Sequence, residues 1–125
     1  MIAGRALMTS FKRRTALMPR SKMGNVPVEV DGRRFASKKE AKRYGELVLL
    51  EKAGKIFDLR CQVRHKLQVN ELLICTYVSD FTYTDEDSIS HVEDVKGRRT
   101  GSAYGLFRIK AKLMLACLGV IVEEV

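Results

Sequence analysis

The chain has 125 residues, 46% of them apolar and 30% charged, which is the make-up of one globular domain and excludes an intrinsically disordered chain. No apolar run approaches the roughly 18 residues of a membrane span, and no signal peptide stands out. The formal charge of +8 favours a polyanionic partner, with nucleic acid first and an anionic membrane surface second.

Residues 1–28 carry Arg5, Lys12, Arg13, Arg14, Arg20 and Lys22 and no acid. This segment has four readings: a basic arm along phosphates, a disordered tail, an upstream start with Met8 as the true one, or an organelle-targeting segment. The domain proper is expected over residues 29–125. "VPVEVDGRRFASKKE" predicts a short strand, a turn at Asp31-Gly32 and a helix start. In "SKKE", Ser37 and Glu40 have the spacing of a capping box. The helix then runs through "AKRYGELVLLEKA", with Ala41, Tyr44, Leu47 and Val48 as its apolar face, and stops at Gly54.

"KIFDLRCQVRHKLQV" alternates at Val63, His65, Leu67 and Val69, which predicts a strand with one apolar face. "LLICTYVSDFTYT" is the strongest strand signal, "DEDS" a turn, and "ISHVEDVKG" the returning strand of a hairpin. "SAYGLFRIKAKLMLACLG" predicts a second helix with Tyr104, Leu106, Ile109 and Leu113 inward, ended by Gly119, and "VIVEEV" a closing strand. Helix, three strands, helix, strand makes an α/β (α+β) domain with a mixed sheet. Cys61, Cys75 and Cys117 are odd in number and never spaced as CxxC, so they read as free thiols in a reducing compartment.

The hairpin carries the chemistry. Side chains alternate faces along a strand, so Asp94 and Lys96 share a face and Glu93 points away. A loop of Asp85-Glu86-Asp87 sets Asp80 opposite Val92, and a shift of one residue on each strand sets it opposite Asp94. Either register gathers Asp80, Asp94 and Lys96 on one face, with Cβ atoms roughly 5–8 Å apart. Two such carboxylates repel unless a cation lies between them, and oxygen-only ligands suit Mg²⁺ or Mn²⁺. A neighbouring lysine can orient a water or neutralise charge on phosphorus. The structural alternative is a surface ion pair plus an edge-strand charge that discourages aggregation.

"YVSDF", a hairpin and "VEDVKG" together resemble the bipartite active site of the PD-(D/E)xK nuclease superfamily. Asp80 falls on the first motif position and Asp94-Val95-Lys96 on the triplet. Ser79 stands where a proline is usual, and Asp94 where many members have Glu, which keeps Glu93 as a reserve ligand. "DGRRFASKKEAKRYGELVLLEKAGKI", Gln62 and "FRIKAKL" extend the likeness, over roughly residues 30–125, to small phage-encoded proteins assigned to that superfamily.

The resemblance implies a restriction-endonuclease-like αβββαβ core, with a mixed sheet flanked by helices. It also implies a Mg²⁺- or Mn²⁺-dependent endodeoxyribonuclease, with Asp80, Asp94 and Glu40 on the metal and Lys96 completing the catalytic set. Glu40 has the capping role as its alternative. Lys110 matches the family's helix lysine, and with Lys112, Arg98, Arg99 and Arg108 it would hold the DNA backbone. Gln62 would touch substrate or metal-bound water. By analogy with junction resolvases, branched DNA and a homodimer are expected, with no membrane partner, in the cytoplasm of an infected or lysogenic host cell.

Other candidates are weaker. Glu46 faces elsewhere on the first helix. Cys61 and His65 do not converge as zinc ligands would. His91 lies on the parity face of Glu93, "DEDS" lacks the Gly and Glu of a calcium loop, and Tyr77, Phe81 and Tyr83 read as core. The rival functions are a non-catalytic DNA-binding protein that keeps the nuclease fold, and an interaction protein that docks through its basic face.

Overall fold

A computed structural model describes residues 27–125. The basic arm, from Arg5 to Lys22, and the Met8 alternative lie outside the described residues. A hairpin of β1 (Val28–Val30) and β2 (Arg33–Phe35) precedes α1 (Lys38–Lys52), β3 (Ile56–Val69), β4 (Leu72–Asp85), β5 (Ser90–Asp94), α2 (Gly101–Leu118) and β6 (Val122–Glu124). The four-stranded sheet runs β3-β4-β5-β6, antiparallel except for the β5–β6 pair, which is parallel. The element order from α1 onward is the one expected. Strand β2 is an addition: Asp31 and Gly32 both adopt left-handed φ, 52° and 77°, the geometry of a two-residue hairpin turn, so "RRF" folds back on "VEV".

A similar turn at Asn70 and Glu71, φ 49° and 68°, joins β3 to β4. The β4–β5 loop is Glu86-Asp87-Ser88, one residue later than expected. Asp85 fixes it, its Oδ1 accepting from the Asp87 and Ile89 amides at 2.8 and 3.0 Å, while Ser88 takes the left-handed position, φ 64°. The resulting register pairs Phe81 with Glu93 and Thr84 with Ser90. Continued by one residue, it brings Asp80 opposite Asp94.

Two cores flank the sheet. Phe35, Ala41, Leu47, Ile56, Phe81 and Tyr83 pack under α1, and Leu67, Tyr77, Val92, Phe107 and Met114 under α2. Tyr77 and Phe81 have the same parity on one strand, yet they lie in different cores. The faces exchange at Asp80, where its β3 neighbour Gln62 has a left-handed φ of 53°. One such residue breaks the alternation and twists the ribbon, as a bulge does.

Ala41, Tyr44, Leu47 and Val48 face inward on α1 as expected. On α2 the buried stripe is Phe107 and Met114, with Tyr104, Ala111, Leu113 and Cys117 beside it. Leu106 and Ile109, expected inward, are exposed, because residues one before and two after Phe107 point about 100° and 200° away from it around a helix of 3.6 residues per turn. Val69 is also exposed, turned out by a register slip after Leu67. The three cysteines are free thiols. No helix among the described residues is long and apolar enough to cross a membrane.

Candidate active site

Glu40 enters the site from the first turn of α1. Ser37 Oγ accepts the Glu40 amide at 3.2 Å, and Glu40 Oε1 accepts the Ala36 amide at 3.3 Å. The capping box therefore closes one residue early, and only one carboxylate oxygen is engaged in it. The other, Oε2, accepts from Gln62 Nε2 at 3.0 Å, and the same nitrogen lies 3.3 Å from Asp80 Oδ1. Both roles read for Glu40 are thus compatible in one side chain.

Asp80 Oδ2 accepts the Val95 amide at 2.8 Å, which ties the centre of β4 to the chain just beyond β5. Asp94 is held from both sides: Lys96 Nζ lies 2.9 Å from Oδ1, and the Tyr77 hydroxyl donates to Oδ2 at 2.5 Å. Lys96 Nζ also sits 3.8 Å above the Phe107 ring centroid, a cation–π contact that holds the ammonium over α2. From α1, Lys39 Nζ donates to the Lys96 carbonyl at 2.6 Å.

These groups border one cleft of about 600 Å³, lined by Glu40, Asp80, Asp94 and Lys96, with Lys38 and Lys39 among the others. Its electrostatics are those of crowded carboxylates. Burial, then the charge of Asp80, pushes Glu40 from its ordinary 4.5 up to about 7. Asp80 is also raised, first by burial, with the charge of Asp94 adding to it against the Val95 amide.

The donor set fits a hard divalent cation, since all three carboxylates offer oxygen and burial, first of all, holds two of them above their ordinary pKa. Among the described residues no group of three or more His, Cys, Asp or Glu is gathered in metal-ligating geometry. The fit is one of donor chemistry, and not of a preformed cage.

The remaining candidates separate clearly. Glu93, the reserve ligand, is buried on the α1 side, where Arg43 binds both its oxygens at 2.8 and 2.6 Å and the Tyr83 hydroxyl donates to one of them. It has no place in the cleft. Glu46 pairs with the same arginine at 3.0 Å. Lys110 Nζ donates to the Thr76 carbonyl at 3.3 Å and lines a depression that shares Val78, Asp94 and Lys96 with the cleft. Lys112 and Arg108 instead line a separate hollow with Glu124, because residues two apart on a helix point some 200° from each other. Arg99 pairs with Glu124 at 3.4 Å, and Arg98 is exposed before α2. The expected basic cluster is therefore divided, with Lys110 alone bordering the site.

Cys61 sits with the α1-side core, whereas His65 bonds Ser79 Oγ at 2.9 Å and stacks on Tyr77 beside the α2-side core. They do not converge. Tyr77, which the sequence marks only as core, and Phe107, which it does not single out, touch the site residues, and Lys38 and Lys39 are legible only as helix-start lysines before Glu40.

The chain belongs to the family described as protein of unknown function (DUF1064), which it matches over residues 20–117. No curated protein and no solved structure matches it.

Proposed function

We propose that the protein is a Mg²⁺- or Mn²⁺-dependent endodeoxyribonuclease built on a restriction-endonuclease-like αβββαβ core. The observation that carries this reading is the convergence of Glu40, Asp80, Asp94 and Lys96, from α1, β4 and the end of β5, on one cleft. Residues from three separate stretches of the sequence form a carboxylate cluster with one fixed ammonium, an arrangement costly to bury without a use.

Glu40, Asp80 and Asp94 would hold the metal, which supplies a Lewis acid for the phosphate and an activated water. Lys96, aimed by Asp94 and Phe107, positions the attacking water and donates to the non-bridging phosphate oxygens as charge builds there. Gln62 holds Glu40 and Asp80 at a fixed separation. The water oxygen bonds to phosphorus and gives up a proton to solvent, the bond from phosphorus to the deoxyribose oxygen breaks, and that oxygen takes a proton from solvent in turn. Branched DNA and a homodimer are the first substrate and assembly to test, on the strength of the superfamily resemblance.

A second reading, a DNA-binding protein that keeps the fold without catalysis, is favoured by the lack of a preformed three-ligand group among the described residues. One assay separates the two. Linear, single-stranded and four-way-junction DNA are incubated with Mg²⁺, Mn²⁺ or chelator, with Asp94→Asn as the control. Metal-dependent cutting that disappears in Asp94→Asn supports the nuclease. Salt-sensitive binding with no cutting in either metal leaves a binding module.

A further inference from the structure

Helix α1 covers only part of its side of the sheet. Strand β5 pairs with β4 over Phe81–Thr84, so beyond Asp80 the β3–β4 ribbon runs on as two strands with α2 packed on one face. That covered face carries Leu67, Cys75 and Tyr77. Among the described residues the opposite face is bare: Gln62, Arg64, Lys66 and Gln68 are exposed along β3. Arg64 pairs across with Val78 and Lys66 with Thr76. Because the faces exchange at Asp80, this bare face leads directly to the cleft, where Val78 forms part of the wall. Lys110 reaches the free edge of β4 at Thr76.

Arg43, Lys55, Arg60, Lys96 and Arg99 each sit beside an acid. Among the described residues neither Arg64 nor Lys66 has an acidic partner. The face also carries no aromatic anchor of the kind that centres a protein–protein interface. Its cations, and its continuity with the cleft, fit a polyanionic backbone.

We infer that the bare face of the β3–β4 ribbon is a DNA-docking platform on which one strand of a duplex lies as it approaches the cleft, with Arg64 and Lys66 on its phosphates and Lys110 at the rim. The inference rests on the nuclease reading for what happens in the cleft, but not for binding. At about 3.3 Å per residue, Arg64 lies roughly 7 Å and Lys66 roughly 13 Å along β3 from Gln62. With a rise of about 3.4 Å per nucleotide, those positions correspond to phosphates roughly two and four nucleotides from the site.

The test is the affinity of the full chain, as Asp94→Asn to prevent cutting, for a fluorescent duplex across a salt series. Arg64→Gln/Lys66→Gln is compared with Lys52→Gln/Lys55→Gln, which removes equal charge at the far end of α1. The platform predicts weaker binding at every salt concentration and a salt slope smaller by about 2 for the first pair, by about 1 for Arg64→Gln alone, and little change for the second pair. Both sites are exposed, and equal melting temperatures establish that folding is intact.

An unchanged slope and affinity in Arg64→Gln/Lys66→Gln, with wild type still binding and cutting, overturns the platform and leaves the nuclease reading standing. Equal losses in the two pairs also overturn it, since the effect would then be net charge. The predicted loss without metal-dependent cutting by wild type upholds the platform and overturns the nuclease reading. No duplex affinity in wild type overturns both.

Discussion

Tyr77 donates its hydroxyl hydrogen to Asp94 Oδ2 from a ring buried against Phe107, so an aromatic residue of the α2-side core sets the orientation of a carboxylate in the cleft. Burial, then the bond to Asp94, raises the phenol above its ordinary pKa, and it remains a donor throughout the working pH range. Tyr77→Phe keeps the ring and removes only that donor. The expected cost is about 1.5–3 kcal/mol of stability, the worth of a hydrogen bond to a charged group, read by denaturant unfolding. Cleavage should fall by roughly 10–100-fold, as when a group orienting a metal ligand is lost. Unaltered cleavage in the folded variant would show that Lys96 alone orients Asp94.

Glu93 and Asp94 are adjacent in sequence and opposite in use. Glu93 is 1% exposed and bound through both oxygens by Arg43, a bidentate pair that fixes α1 to β5. Arg43→Met leaves that carboxylate buried and uncompensated, so a loss of about 3–5 kcal/mol is expected, measured by urea unfolding. Glu93→Gln should lower stability by less, because Tyr83 and Arg43 can still donate to the amide oxygen. Its metal-dependent cleavage at a temperature well below the melt should match wild type. A metal requirement shifted in Glu93→Gln would restore it as a ligand.

The element order and the gathering of Asp80, Asp94 and Lys96 were legible because they rest on local signals: turn residues, alternation and the Ser37–Glu40 spacing. Glu93 was ambiguous for the same reason, since parity says which face a residue takes and not which helix covers it. Gln62 adopts a left-handed φ that no turn residue announces, and the exchange of faces at Asp80 follows from it. Simple alternation therefore misjudges what covers each half of β3 and β4. The helix lysines and arginines do not form one cluster, because near neighbours in sequence on a helix point to different sides: Lys110 and Lys112 line different hollows. Arg64 and Lys66 carry no local signal at all; only the extent of β5 leaves their face bare.

The raised Glu40 makes stability depend on pH, and the proposed metal site would couple that dependence to Mg²⁺. Glu40 has a folded pKa of about 7 against an ordinary 4.5, so the folded state holds its proton more tightly. Its contribution is fully present below about pH 4.5 and is lost as pH rises through about 7. In chelator, the melting temperature of wild type relative to Glu40→Gln should decline across that window. At the proposed metal site Mg²⁺ would compete with the proton, so its stabilising effect should grow as pH rises. A Mg²⁺ effect independent of pH over this range would remove Glu40 from the metal site.

His91 provides a second, separate pH dependence at the other end of the hairpin. Its Nε2 faces Asp85 Oδ2 and its Nδ1 faces Glu123 Oε2, both at 2.7 Å, while the ring stacks on Tyr83 at 5.0 Å. With a carboxylate at each nitrogen, the ring is best satisfied as an imidazolium donating on both sides. The bond to Asp85, and then that to Glu123, raises its pKa against the effect of burial. The protonated ring links the β4–β5 turn to β6, and its contribution is fully present below the ordinary 6.5 and lost as pH rises through the raised folded value. Asp85 has the opposite sign. The hydrogen bond from His91 lowers its pKa, so its share is lost only as pH falls through that depressed value. The clamp therefore operates between the two limits. His91→Gln keeps a polar side chain but cannot carry the charge. The wild-type advantage in melting temperature over His91→Gln should be largest near pH 6 and shrink toward pH 8.5, in chelator, with the Glu40→Gln background removing the cleft's own titration. A gap that stays constant over that range would mean that His91 bridges its two carboxylates in the neutral form, with one of the two contacts unmade.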